Sequence, residues 1–241
     1  MIVLSIGTTH PWNVAGTGRD LVLGTELGAR VFTAIAAVSA QDAGGVRALH
    51  PIPPAALRAQ LAALPWSAAG AVRVGALASA ENVRCVAAAL RAHGTLPAVV
   101  DPVFFASRGG ALADDATRHA IGEELSVLPN AVLTPNLDEA AALLGSPPIG
   151  LATMGEAAAA LRLRGPEAVL LKGGHLEGDP VDALATVAGV QILREPRIAG
   201  TMHGTGCTLA MALACALAGG AAVDDAVRRA RAFVRAQLAR H

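Results

Sequence analysis

The chain has 241 residues, 53% of them hydrophobic and 16% charged, a globular balance far from that of disordered chains. Nineteen basic residues offset nineteen acidic ones, which leaves no basic field to grip nucleic acid and no acidic one for a basic partner. Six aromatic side chains (four Phe, two Trp, no Tyr) are too few for a base-stacking platform.

From the N-terminus, apolar patterning predicts a strand over Ile2–Ile6, a helix over Arg19–Leu27, a strand over Val31–Ala37 and a helix over Pro54–Leu64. A strand over Val72–Leu77 and a helix over Ala80–His93 follow, then a strand over Ala98–Val103 and a helix over Ala113–Leu128. Next come a strand over Ala131–Thr134 and two helices, Leu137–Leu144 and Met154–Arg164. The last strands are Ala168–Leu171, Ala183–Val187 and Gln191–Leu193, and helices over Gly206–Ala218 and Asp224–Arg240 close the chain. Runs such as AVVDPV and AVLLKGG are apolar on both faces, as a sheet covered by helices on two sides requires. The alternation implies an α/β fold with a mostly parallel sheet, and the Gly189 turn implies an antiparallel hairpin at one edge. No repeat or linker divides the sequence, so residues 1–241 are expected to form one domain.

MIVLSIGTTH has neither a basic n-region nor a cleavage site and reads as no signal peptide. The uncharged stretch 198–223 is broken by His203 and five glycines, which points to a buried core helix and not to a membrane span. Cys85, Cys207 and Cys215 are odd in number and lack CxxC spacing, so a reducing, cytoplasmic compartment is expected, with no disulfide framework and no zinc site.

Among the nineteen basic residues Lys172 is the single lysine, the other eighteen being arginine. A lone lysine among so many arginines either survives by chance or marks a place that needs a compact point charge. Lys172 is not part of a P-loop, because Gly173 follows it, and Gly16-Thr-Gly18-Arg-Asp-Leu lacks the third glycine of a dinucleotide fingerprint. His203-Gly-Thr-Gly-Cys207-Thr runs straight into an apolar helix whose first backbone N–H groups and dipole form an anion site. Cys207 lies in that first turn, where the same field is expected to lower a thiol pKa and bring a general base within reach. Three further segments leave strands: Asp101-Pro-Val103, Thr134-Pro-Asn136-Leu-Asp-Glu139 and Lys172-Gly-Gly-His175. Read alone, Asn136 and Glu139 are an ordinary capping box, and Asp101 is a carboxylate able to hold a hydrated Mg²⁺.

Together and in this order, these segments resemble the hydroxymethylpyrimidine and phosphomethylpyrimidine kinases of thiamine biosynthesis, within the ribokinase-like superfamily. The resemblance runs from about residue 2 to 235 and implies a three-layer α/β/α sandwich. It implies Cys207 as the base for the substrate hydroxymethyl group, with the amides of Gly204, Thr205, Gly206 and Cys207 holding the charge of the transferred phosphate. It further implies ATP phosphates on Lys172, Asn136 and Thr205, Mg²⁺ held through water by Glu139 and Asp101, and the aminopyrimidine on Gln41, with Asp20 matching an aspartate of the family's first glycine loop. The Gly7–Gly16 segment departs from the family pattern: it is longer, and it carries Trp12, whose ring is expected to narrow the pyrimidine pocket beside Ala76. Arg231 stands where relatives often have lysine. Members are commonly homodimers. A pyridoxal or pyridoxine kinase, or a ligand-binding relative without turnover, are the alternative readings.

Overall fold

A computed structural model of the chain describes residues 1–42, 44–107, 109–174, 178–198, 200 and 202–240. The elements in chain order begin with β1 (Ile2–Thr9), α1 (Gly16–Glu26), β2 (Arg30–Asp42), β3 (Gly45–Pro51) and α2 (Pro54–Ala62). They continue with β4 (Ala71–Val74), α3 (Ala80–Ala92), β5 (Ala98–Val100), α4 (Asp115–Ala120) and β6 (Ala131–Leu133). After α5 (Leu137–Leu144) and α6 (Met154–Arg162) come β7 (Ala168–Lys172), β8 (Val181–Thr186), β9 (Gly189–Arg194), α7 (Thr205–Ala218) and α8 (Val223–Leu238).

All nine strands join one sheet in the order β3-β2-β1-β4-β5-β6-β7-β8-β9. The pairs from β2 through β1, β4, β5 and β6 to β7 are parallel. Strands β4, β5 and β6 are buried along their whole length; β5 and β6 accordingly read as continuous apolar runs, whereas β4 carries Arg73. Leu4, Ile6, Val72, Val74, Val100 and Leu133 face one core with α2 to α6, while Val3, Ala71, Val99 and Val132 face the other with α1, α7 and α8. The result is the three-layer α/β/α sandwich that the resemblance implied.

Two expectations change. Antiparallel pairing occurs at both edges: β8 and β9 form the expected hairpin, and β3 pairs antiparallel with β2 at the other end. The short Val46–Leu49 run escapes sequence reading because Gly44-Gly45 and Pro51 fence it closely. The single helix expected over Ala113–Leu128 is instead α4, capped by the Asp114 carboxylate accepting from Thr117 N–H (2.8 Å), followed by a π-helical turn over Ile121–Leu125. The 198–223 segment holds the interior helix α7, and no described helix is long and apolar enough to cross a membrane.

Besides the β1–β2 ladder, side chains of α2 and α3 tie the β2–β3 edge to the body: Gln60 exchanges two hydrogen bonds with the Ile35 backbone (2.8 and 3.0 Å). Asn82, fully buried on α3, donates through Nδ2 to the carbonyls of Ala36 (3.0 Å), Ile52 (3.1 Å) and Leu77 (3.4 Å). Removing the amide takes a donor from all three carbonyls, although those of Ala36 and Leu77 keep the backbone N–H of Ile52 and Ser79, so Asn82→Ala is expected to lower unfolding free energy by about 1–2 kcal/mol in urea titration; an unchanged midpoint would show that this tether contributes nothing.

Candidate active site

In a sheet of this order the chain steps outward from β1 to β2 on one side and returns to β4 on the other, and ligands bind beyond the carboxyl ends of the strands where the strand order reverses in this way. A cavity lies there, about 510 Å³ counting its opening to solvent. Its wall includes Thr8, His10, Gln41, Arg73, Ala76 and Cys207. Three residues expected from the sequence, Gln41, Ala76 and Cys207, therefore meet on one cavity.

Beneath it runs a row of polar side chains, one from each of five neighbouring strands or the segment leaving it. Ser5 on β1 donates to Asp20 of α1 (2.6 Å), and Asp20 pairs with Arg73 on β4 (3.4 Å). Arg73 also pairs with Asp101, just past β5 (3.6 Å). Asp101 accepts from Thr134, past β6 (3.2 Å), and from Lys172 Nζ at the end of β7 (2.8 Å). Burial works against each charge and an opposite neighbour opposes it; at Asp20 burial wins, so its pKa is raised although Arg73 and Ser5 pull it down. Asp101 is held below the usual carboxylate range because Lys172 and Arg73 outweigh desolvation, and Lys172 stays above its ordinary value chiefly through Asp101. Sequence reading missed Arg73, although a guanidinium inside the apolar run Ala71–Val74 was the available signal. It is 1% exposed, and Gly75 makes room for it: a Cβ there would stand 2.1 Å from Nη1.

The row ends against α7. Gly204 is its N-cap in the left-handed region (φ 74°), where a Cβ would also meet the Val14 carbonyl oxygen at 2.4 Å. No side chain caps this helix. A Cβ built on Gly206 would stand 3.5 Å from Lys172 Nζ and 3.8 Å from Asp101 Oδ2, so the buried ammonium reaches the first turn, where Thr205, Gly206 and Cys207 sit. Asn136 and Glu139 form a reciprocal capping box on α5, with both bonds at 2.8 Å. The Asn136–Lys172 bridge brings that cap beside β7.

Several expectations are altered by the geometry. The Cys207 thiol is not acidified: burial pushes its pKa up, Arg73 pulls it back, and Asp101 and Asp20 push it up further. Asp20 is fully buried and does not line the cavity; it is the counter-ion of Arg73, which does. Trp12 is 56% exposed and not among the lining residues, so its ring does not narrow this pocket. His175 lies outside the described residues. A second unforeseen wall residue is His10, whose Nε2 accepts the Ala15 N–H (3.2 Å) while burial holds the ring below its ordinary pKa.

The model of the phosphomethylpyrimidine kinase family matches residues 11–241. The chain belongs to that family. A hydroxymethylpyrimidine/phosphomethylpyrimidine kinase of Streptomyces coelicolor is 41% identical over 236 residues, 97% of this chain and 87% of the relative. Among solved structures, phosphomethylpyrimidine kinase from Clostridium difficile superposes with a TM-score of 0.85 at 26% identity, covering 98% of this chain and 99% of the other. Staphylococcus aureus pyridoxal kinase in complex with AMP-PCP and pyridoxal gives 0.87 at 27% identity, with 99% and 87% covered. The family match begins at residue 11, inside the Gly7–Gly16 loop whose length and Trp12 set it apart.

Glu139 gives this phosphomethylpyrimidine kinase family member a pH signature. Burial pushes its carboxyl from 4.5 up to about 7, with Lys172 opposing and Asp101 adding to the rise. Between those values the folded protein keeps a proton that the unfolded chain has lost. The stabilising contribution is thus complete below pH 4.5 and is lost as pH rises through 7. Glu139→Gln keeps the cap acceptor without titrating. Wild type is expected to lose on the order of 2 kcal/mol relative to this variant between pH 5 and 7.5 in metal-free urea unfolding, whereas parallel curves would contradict the assignment.

Proposed function

We propose that this chain transfers the terminal phosphoryl group of ATP to the hydroxymethyl group of 4-amino-5-hydroxymethyl-2-methylpyrimidine, of its monophosphate, or of both. The observation that carries the reading is one juxtaposition. Cys207 lines the cavity together with Gln41 and Ala76, on the first turn of a helix that Lys172 reaches from the other side. A substrate alcohol and a phosphate chain thereby have adjoining places. The reading includes one domain over residues 1–241, a homodimer and a cytoplasmic location, the last supported by the three free cysteines.

In phosphoryl transfer the protein's main task is to position groups and to meet negative charge with preorganised donors. The amides of Gly204, Thr205, Gly206 and Cys207, with the positive end of α7, supply donors that need no reorganisation. Lys172 adds a buried ammonium, steadied by Asp101, that is aimed at the same turn. Asn136 contributes from the α5 cap beside Lys172. Gln41 offers both a donor and an acceptor to the edge of an aminopyrimidine.

The residues also fit a magnesium ion. Glu139 is a buried carboxyl whose ionisation is suppressed by desolvation, and a divalent cation beside it and Asp101 would relieve that cost. No cluster of three or more His, Cys, Asp or Glu ligands occurs among the described residues, in keeping with an ion that retains water and takes few protein oxygens. When bound, Mg²⁺ would neutralise phosphate charge. Cys207 takes the proton of the hydroxymethyl group; its thiol must first ionise, which Arg73 favours and burial resists.

With Cys207 as base, Cys207→Ala should lower kcat by about 10²- to 10⁴-fold while leaving the Kd for an ATP analogue within about twofold. Because the folded thiol lies above its ordinary pKa, wild-type kcat/KM should rise between pH 7 and 9. Product formation is followed with the pyrimidine, its monophosphate and pyridoxal as acceptors. Near-normal kcat in the alanine variant would remove Cys207 as the base; turnover of pyridoxal alone would replace the proposed substrate.

A further inference from the structure

We propose that Arg231, on α8, is a positioning residue for nucleotide binding: acting through Asp182, it fixes the direction in which the Lys172-Gly173-Gly174 turn leaves the sheet. The inference rests on the reading above that Lys172 meets ATP phosphate.

Strands β7 and β8 are antiparallel, with Lys172 opposite Asp182 at the end of the ladder. One residue on, the backbone finds a side-chain acceptor: Gly173 N–H donates to Asp182 Oδ1 (3.1 Å). The first amide after Lys172 is therefore aimed by a carboxylate. That carboxylate is set in turn by Arg231, whose Nε donates to Asp182 Oδ2 (2.9 Å). The other two guanidinium nitrogens are also engaged, Nη1 with Glu195 Oε1 and Nη2 with the Leu193 carbonyl, each at 3.1 Å. One turn along α8, Arg235 holds the second Glu195 oxygen (2.9 Å) and the Pro196 carbonyl (2.6 Å).

A second arginine reaches the same turn from the far side. Arg197 donates through Nη2 to the Gly174 carbonyl (3.5 Å) and through Nε to the Gly178 carbonyl (2.6 Å). Gly173 is buried and Gly174 is exposed, and a Cβ at Gly174 would find nothing within 4 Å. Asp182 thus holds the Gly173 amide and Arg197 the Gly174 carbonyl, beside the ammonium that reaches α7.

The pair is only 9% exposed at Arg231 and at Asp182. A buried ion pair is a poor source of stability, since apolar residues of the same volume often serve as well. What three nitrogens on three acceptors supply is direction, and a site held loosely by its supporting residues loses affinity before it loses fold.

The test is calorimetric binding of a non-hydrolysable ATP analogue with Mg²⁺, alongside steady-state kinetics and thermal melts. Arg231→Met is expected to raise the analogue Kd and the ATP KM about tenfold while the pyrimidine KM stays within about twofold. Arg231→Lys, which reaches Asp182 but cannot span three acceptors, should fall between the two. If Arg231→Met does not fold, Glu195→Gln, which leaves the Asp182 contact intact, should still raise the analogue Kd about threefold. A lowered Tm with an unchanged analogue Kd would overturn the inference and leave Arg231 a structural residue. Lys172→Gln is the control for the reading beneath: weakened binding there with none in Arg231→Met defeats only the inference, whereas unchanged binding in Lys172→Gln defeats both.

Discussion

Five adjacent strands, or the segments leaving them, place Ser5, Arg73, Asp101, Thr134 and Lys172 in one buried row, completed by Asp20 from α1, and the site depends on the opposed charges within that row. None of these ions is affordable alone, because an unpaired charge taken out of water costs several kcal/mol. Set in alternation, each supports the next. Asp101 is the hinge of the arrangement, since it steadies both Lys172 and Arg73. The row therefore couples the cavity wall, through Arg73, to the anion site at α7, through Lys172.

This coupling explains why surface composition said so little about what the chain binds. A net charge of zero leaves no long-range field for a polyanion. On the proposed reading the capacity for anions is internal instead, made of backbone amides at one helix start and a single buried ammonium. Local donors of this kind act at contact distance, in a low dielectric, and are little screened by salt. The lone lysine among nineteen basic residues belongs to that apparatus. A compact ammonium fits between Asp101 and the first turn of α7, whereas a planar guanidinium there would need different room.

How far the sequence could be read follows the range of the forces involved. Strands such as Ala131–Leu133 and helices such as Leu137–Leu144 were legible because periodicity, apolar runs and the Asn136–Glu139 cap are local signals. β3 was not, because an edge strand between glycines and prolines is defined by the pairing it finds. The motif residues Cys207, Lys172, Asp101 and Asn136 came from short segments and a family resemblance. Their electrostatics did not: the helix field at Cys207 was legible, but Asp20, Asp101 and burial, which reverse its effect on the thiol, are brought there only by the tertiary fold. Asp20 came from the resemblance to the family's first glycine loop and Trp12 from this chain's departure in that loop, and the structure puts one beneath the cavity and the other outside its wall.

The central claim is spatial, namely that the start of α7 with Lys172 forms the phosphate end of a site whose other end is the Gln41, Ala76 and Cys207 cavity. A crystal structure with Mg²⁺, a non-hydrolysable ATP analogue and the pyrimidine tests it most directly. The account predicts terminal phosphate oxygens on the amides of residues 205–207 and on Lys172 Nζ, with the pyrimidine hydroxymethyl group facing Cys207 Sγ. A phosphate chain seated away from that turn, or a pyrimidine outside the cavity, would contradict it.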